Sequence, residues 1–283
     1  MPLYPTILCA VDFSEHARRA LRAALMFGAR TGSRVVAVHV VDQMLAEAAR
    51  SIAEAPPLRS EVESELRSFV QAEQDTLVQS VDCIVRIGKP EREILACARD
   101  ASADLIVLGT QGLGGIRKWF FGSIAEKVLR DAQVPVLAVP LGGDAAGSPR
   151  RIVASVDLED DRVARAAVAL GGELSLPVSL VRVVRPVDAA AGSAAAAAEE
   201  STRQRVSDAR TALSALAARL GDSSIQEIEV RAGSPAEQIA ALADAPGSLI
   251  VIGSGSTADH RRPGSTAYRV LSLSAAPVLA IPI

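Results

Sequence analysis

Short apolar runs along the first half of the chain alternate with segments whose apolar residues recur every three or four positions. Thr6 to Val11 (TILCAV) is a β-rich run that stops at Asp12-Phe13-Ser14, which predicts a buried strand. Ser14 can cap a following helix, in which Ala17, Ala20, Leu21, Ala24 and Leu25 make one apolar stripe. Arg34 to Val41 (RVVAVHVV) predicts a second buried strand, closing on Asp42. A longer connection, broken by Pro56-Pro57, leads into a helix carrying Val62, Leu66, Phe69, Val70 and Leu77. Val81 to Ile87 alternates, so this third strand is expected nearer an edge. A helix with Pro90 near its first position follows, then the run Leu105 to Leu108 ending abruptly at Gly109. After a glycine-rich stretch, Ile124, Ala125, Val128 and Leu129 return to helical spacing, and Val134 to Val139 is a fifth strand. Strands alternating with helices imply right-handed crossovers and a mostly parallel sheet covered on both faces.

The programme then starts again. RIVASVDLEDDRVARAA matches TILCAVDFSEHARRAL, setting Asp157 opposite Asp12. RAGSPAEQIAALA matches RIGKPEREILACA, SLIVIGS matches DLIVLGT, and APVLAIPI matches VPVLAVPL. Gly233 thus stands opposite Gly88, Gly253 opposite Gly109 and Pro277 opposite Pro135. Four blocks in one order at a nearly constant spacing mark a tandem duplication. The expected domains are residues 1–141 and 151–283, joined by a Gly/Ala/Ser/Pro linker over 142–150. The alanine-rich stretch Asp188–Glu200 is expected to be a mobile segment or a frayed helix end.

Composition narrows the class. Of 283 residues, 49% are hydrophobic and 22% charged, which suits globular domains, while 3% aromatics leave the core to Ala, Val, Leu and Ile. A net charge of −3 gives no reason to expect nucleic acid or an anionic membrane as partner. No apolar segment approaches the roughly 18–20 residues needed to span a bilayer. The N-terminus lacks a basic leader and runs straight into a core strand, so no signal peptide is expected. Cys9, Cys83 and Cys97 are widely spaced, and with His16, His39 and His260 they form no metal-binding pattern. A reducing, cytoplasmic compartment is the expected setting.

The candidate chemistry lies between Asp104 and Leu129, where strand, glycine loop and helix follow one another with Ser123 at the helix start. Free backbone N–H groups there, beside glycines that admit a ligand closely, suit an anion such as phosphate. In an open parallel sheet the ends of the strands at Asp12, Val40 and Gly109 would converge on one crevice. Familiar phosphate motifs do not fit. A P-loop would need lysine where Gly115 stands, and Gly112-Leu113-Gly114 is followed by Arg117 where a dinucleotide fold needs glycine. Arg117 and Lys118 read as a solvated face, and Trp119-Phe120-Phe121 as an anchor for the loop. Asp12 also has a simpler reading, as a cap for the turn or helix after its strand.

What does match is Gly109-x2-Gly112-x9-Gly122-Ser123. With the Asp12 strand end and the duplicated order, this resembles the universal stress protein family, in its tandem form and over nearly the whole chain. The resemblance implies two tandem Rossmann-like, doubly wound α/β domains, each a five-stranded parallel sheet of order 3-2-1-4-5. It implies ATP binding, with Mg2+ brought on the phosphates. Asp12 and Val40 would contact the adenosine end, and Gly109, Gly112, Gly122 and Ser123 the ribose and phosphates. Ala10, Val11, Leu108, Gln111 and Ile124 would line the pocket. The second half departs from the motif: Gly253-x2-Ser256 is followed after only seven residues by Gly264-Ser265. Loss or weakening of binding is expected there, leaving a weak second site at Asp157, Gly253, Gly264 and Ser265, or contacts from Arg261 and Arg262. With no evident general base, the expected role is an ATP-responsive sensor in which the ligand orders the Gly109–Gly122 loop. A slow ATPase or nucleotide transferase, or a scaffold without nucleotide, are the alternatives. The fifth strands are expected to pair into an intrachain pseudo-dimer, from which two chains can associate further and act on a protein partner.

Overall fold

The computed structural model describes the chain apart from residues 51–57, 75–79, 111–121, 143–148, 188–192, 243–244 and 256–264. The Pro56-Pro57 break, most of the linker, Arg117 to Phe121, and the pair Arg261-Arg262 lie outside the described residues.

The first half runs β1 (Thr6–Val11), α1 (Glu15–Thr31), β2 (Arg34–Asp42), α2 (Gln43–Arg50), α3 (Leu58–Glu73) and β3 (Asp82–Gly88). It continues through α4 (Pro90–Asp100), β4 (Leu105–Gly109), α5 (Ser123–Asp131) and β5 (Val136–Val139). The second half runs β6 (Arg151–Ser155), α6 (Arg162–Leu174), β7 (Val178–Val184), α7 (Ser193–Leu220) and β8 (Ile225–Ala232). It closes with α8 (Pro235–Leu242), β9 (Ser248–Gly253), α9 (Ser265–Leu273) and β10 (Val278–Ile281).

Among the described residues ten strands join one sheet in the order β3-β2-β1-β4-β5-β10-β9-β6-β7-β8. Within each half every neighbouring pair is parallel. The halves meet at an antiparallel pair, with Leu137 opposite Leu279 and Ala138 opposite Val278. Each half therefore presents β3 or β8, the alternating strand, at an outer edge. All four residues of β5 and of β10 are buried, so the seam is apolar on both faces.

The period of two along each strand divides the core into two layers. Ile7, Cys9 and Val11 of β1 face α1 and α3, and Leu8 faces α4 and α5. Each layer continues through the seam into the second half, the first by Leu137 and Leu279, the second by Ala138 and Val278. Polar bonds reinforce the junction. Arg30, at the end of α1, donates to the carbonyl of Leu174 at the end of α6, and the Leu3 N–H donates to Glu173 Oε1 at 2.9 Å.

Two expectations are corrected by the fold. The connection after β2 contains α2, whose single eight-residue stretch is too short to signal a helix against the proline break that follows. From Ser193 onward the alanine-rich stretch is helical and opens the 28-residue α7, consistent with alanine's high helix propensity. Residues 188–192 lie outside the described residues.

Helix α1 is the element that the first crevice leans on. Ser14 Oγ caps it by accepting from the Ala17 N–H at 3.1 Å, and Gly32 closes it in the left-handed region at φ 75°. Its first turn presses against the end of β4. A Cβ on Gly109 would stand 2.7 Å from His16 Cβ and 2.8 Å from the His16 carbonyl carbon, so only glycine fits there. The His16 Nδ1 is buried and has no hydrogen-bond partner among the described residues. Burial thereby lowers the pKa of His16 below its ordinary 6.5, outweighing the opposite pull of Asp12 and Glu15.

Two tests follow from these packings. Leu279→Ala should cost about 2–5 kcal/mol in urea denaturation followed by circular dichroism, as a buried leucine at a packed seam does; a loss below about 0.5 kcal/mol would show that the seam carries no stability. A depressed histidine pKa favours the folded state above the unfolded value and withdraws that contribution as pH falls below it. Melting temperature should therefore drop between about pH 7.5 and about pH 5.5, with a shallower slope in His16→Gln. An unchanged slope in the variant would remove His16 as the cause.

Candidate functional site

Strand β1 lies between β2 and β4, and the chain leaves it towards β2 by way of α1 on one face. It returns to β4 from α4 on the other face. The crossovers part company beyond the C-terminal ends of β1 and β4, and that divergence opens a crevice. Four segments border it: Ala10 to Asp12, Val40 at the end of β2, Leu108-Gly109, and Gly122 to Ile124 at the start of α5.

The apolar residues divide by face. Ala10, Val40 and Leu108 belong to the layer under α4 and α5, whereas Val11 belongs to the layer under α1. The first three therefore form a common wall beside α5, and Val11 supports the crevice from behind. The Val11 carbonyl accepts from His39 Nδ1 at 2.8 Å; a carbonyl can only accept, so Nδ1 carries the hydrogen.

Asp12 is held by local hydrogen bonds. Its Oδ1 accepts from the Ser14 N–H at 3.1 Å and from the Ser14 hydroxyl at 2.5 Å, and Ser14 in turn caps α1. The capping reading of Asp12 is thus realised through one oxygen. Between them Phe13 adopts φ 63°, a costly conformation for a bulky residue. Its ring is fixed between His39, at 4.5 Å between centroids, and Phe69, at 5.5 Å and edge-on. Arg18 lies over the far partner, 4.7 Å from the Phe69 centroid, and bonds to the buried carboxylate of Glu73. Sequence reasoning had no signal for Phe13, because a single aromatic after a strand does not announce a left-handed turn.

The glycine segment is anchored at both described ends. Gly122 N–H donates to the Thr110 carbonyl at 2.7 Å, and Thr110 N–H donates to the Val139 carbonyl at 3.1 Å. Gly122 is the N-cap of α5 and supplies no side chain to accept from the first amides of that helix. Ser123 and Ile124 are exposed there, in agreement with a surface left open at the helix start. Gln111 and Gly112 lie outside the described residues.

The second half brings Asp157 and Gly253 to the corresponding rim, with a different turn. Helix α6 starts only at Arg162, and its N-cap Asp161 makes no side-chain capping bond. A Cβ on Gly253 would meet Ile283 Cδ1 at 2.7 Å, where the first half has the backbone of His16. Asp157 Oδ1 lies 3.3 Å from Arg182 Nη1. Gly264 falls outside the described residues, and Ser265 is the first residue of α9. Cys9 and Cys97 are buried and Cys83 half-buried, all as free thiols, and burial raises the pKa of each. None of the three borders the first crevice. Among the described residues no helix is long and apolar enough to cross a membrane.

Comparison with known proteins agrees with this geometry. A universal stress protein of Thermus aquaticus is 34% identical over 137 residues, which is 48% of this chain and 99% of that protein. Among solved structures, a universal stress protein of Archaeoglobus fulgidus superposes with a TM-score of 0.66, covering 98% of this chain and 96% of its own at 19% identity. A functionally unknown protein of Pseudomonas aeruginosa gives 0.69 at 17% identity, covering 99% and 93%. At such identities the structural likeness is one of fold. The model of the universal stress protein family matches residues 3–140 and again residues 149–282. This chain, which carries that family's domain twice, belongs to the universal stress protein family of stress-response proteins.

Proposed function

We propose that this protein binds ATP in the crevice of its N-terminal half and acts as a nucleotide-dependent sensor or regulator. The supporting observation is the meeting of Asp12, the His16-packed Gly109 and the side-chain-free start of α5 at the divergence of β1 and β4. Each group has a matching task. Amides of Ser123 and Ile124 would bind phosphate oxygens with the favourable end of the α5 dipole behind them. Asp12 would accept from ribose hydroxyls, while Ala10, Val40 and Leu108 offer an apolar wall to adenine. Gly109, Gln111 and Gly112 complete the motif in sequence. Among the described residues no group of three or more His, Cys, Asp or Glu could hold a metal, so Mg2+ would arrive on the phosphates.

The reading favours signalling over turnover. One oxygen of Asp12 is occupied by Ser14, and burial holds His16 towards its neutral form despite the nearby Asp12 and Glu15. ATP bound here touches the first turn of α1. The last turn of the same helix grips α6 through Arg30 and Leu174. Ligand binding can shift the packing of the halves only by the difference in its affinity for two arrangements, and α1 is the rigid element that reaches both.

Calorimetric titration tests the proposal. Wild-type protein should bind ATP saturably. Asp12→Asn, which keeps an oxygen for Ser14 while removing the charge, should bind about 10- to 100-fold more weakly, the worth of a hydrogen bond to a charged group. Absence of ATP binding in the wild type would sink the reading. Rapid phosphate release abolished by the same substitution would make the protein an enzyme.

A further inference from the structure

We propose that the C-terminal half holds a second site of different chemistry, a cationic cavity for a small phosphate ester with an apolar body. A cavity of about 760 Å3 lies at the ends of β6, β7 and β9, within the size range of small-molecule pockets. Its position matches that of the N-terminal crevice, but its charge does not.

The sheet register shows why. His39 Nδ1 meets the Val11 carbonyl in the first half; Arg182 Nη1 meets the Val156 carbonyl at 3.3 Å in the second, so Arg182 occupies the place of His39. Three residues on, Asp42 has Arg185 as its counterpart. Asp42 uses its carboxylate to accept from the Met44 N–H at 2.8 Å, a local turn bond that Arg185 cannot make. A histidine and an aspartate have thus become two arginines on one wall. Arg205 of α7 adds a third guanidinium, placed by its 3.1 Å bond from Nη1 to the Arg185 carbonyl.

Two carboxylates also line the cavity. Asp157 is paired with Arg182, and Asp208 accepts from Gln204 Nε2 at 2.8 Å. Among the described residues, neither Arg185 nor Arg205 has a carboxylate partner. Asp208 offsets part of their charge, so three arginines against two carboxylates leave the cavity net cationic by one. The two guanidiniums at the rim suit a phosphate group, which each can grip with paired N–H donors. Below them the floor is apolar, with Val156, Val184, Ala209 and Ile252 all buried. That combination selects an ester over the free anion. It also replaces the glycine-loop recognition of the first half with side-chain charge, which the shortened loop of the second half leaves to the β7 and α7 wall. The inference does not depend on ATP binding in the N-terminal half.

Phenyl phosphate is a suitable probe, titrated calorimetrically into the full chain with phenol and inorganic phosphate as comparators. Saturable binding is expected, weakened by salt and at least about tenfold weaker in Arg185→Glu and in Arg205→Glu, as for loss of a charge-assisted contact. Arg185→Gln should fall between. Both arginines are exposed, so melting curves should show the variants folded. ATP binding attributable to the first crevice should persist in them, which separates the two proposals. No saturable binding by wild type, or equal binding by wild type and variants, would overturn the site. Phenyl phosphate lost in Asp12→Asn but kept in Arg185→Glu would also overturn it, placing the ester in the first crevice. Equal affinity for inorganic phosphate would remove the apolar body from the assignment.

Discussion

The antiparallel pairing of β5 with β10 is the contact on which the rest of the molecule depends. Each half on its own would end in a fully apolar edge strand with unpaired backbone groups, a template for aggregation. Pairing the two edges satisfies those groups and makes each core layer continuous across the chain. The outer edges left behind are β3 and β8, whose alternating sequences carry Asp82 and Arg86 on one and Glu227, Glu229 and Arg231 on the other. Charge at an exposed edge discourages further strand addition. The duplication therefore supplies within one chain a partner for the apolar edge strand of each half.

The first crevice is built by a chain of small constraints, each requiring the one before it. Phe13 turns left-handed between Asp12 and Ser14, Asp12 holds the Ser14 N–H and hydroxyl, and Ser14 caps α1. Only a capped α1 brings His16 close enough to demand glycine at 109. Strain at Phe13 is tolerated because His39 and Phe69 enclose its ring. In the second half Asp157 Oδ1 still accepts from the Glu159 N–H at 3.3 Å, but Leu158 replaces Phe13 without its left-handed turn, and α6 starts later with no side-chain cap from Asp161. Divergence at one turn was enough to free the whole rim for different chemistry.

Much of this was legible in the residues alone. Alternating apolar runs and helical stripes gave the element order, because burial on both faces of a parallel sheet writes strands as continuous apolar runs. The repeat gave the two halves, and Gly109, Gly122 and Ser123 marked the start of α5. Helix α2 escaped because its short apolar pattern gives way to prolines, and the start of α7 because an alanine run has helix propensity without an amphipathic stripe. Arg182 and Arg185 escaped for a different reason. Their significance is a matter of register, visible only once Val156 and Val11 are seen to receive equivalent bonds, and Arg205 joins them from a helix distant in sequence.

The antiparallel seam has a geometric corollary. Strands within a half all point one way, and the seam reverses that direction, so the pseudo-two-fold axis between β5 and β10 sets the two cavities on opposite rims of the sheet. Molecules docked at one rim cannot collide with those at the other. The two crevices therefore open in opposite directions, with the full height of the sheet between them, and α1 and α6 meet across the seam through Arg30 and Leu174.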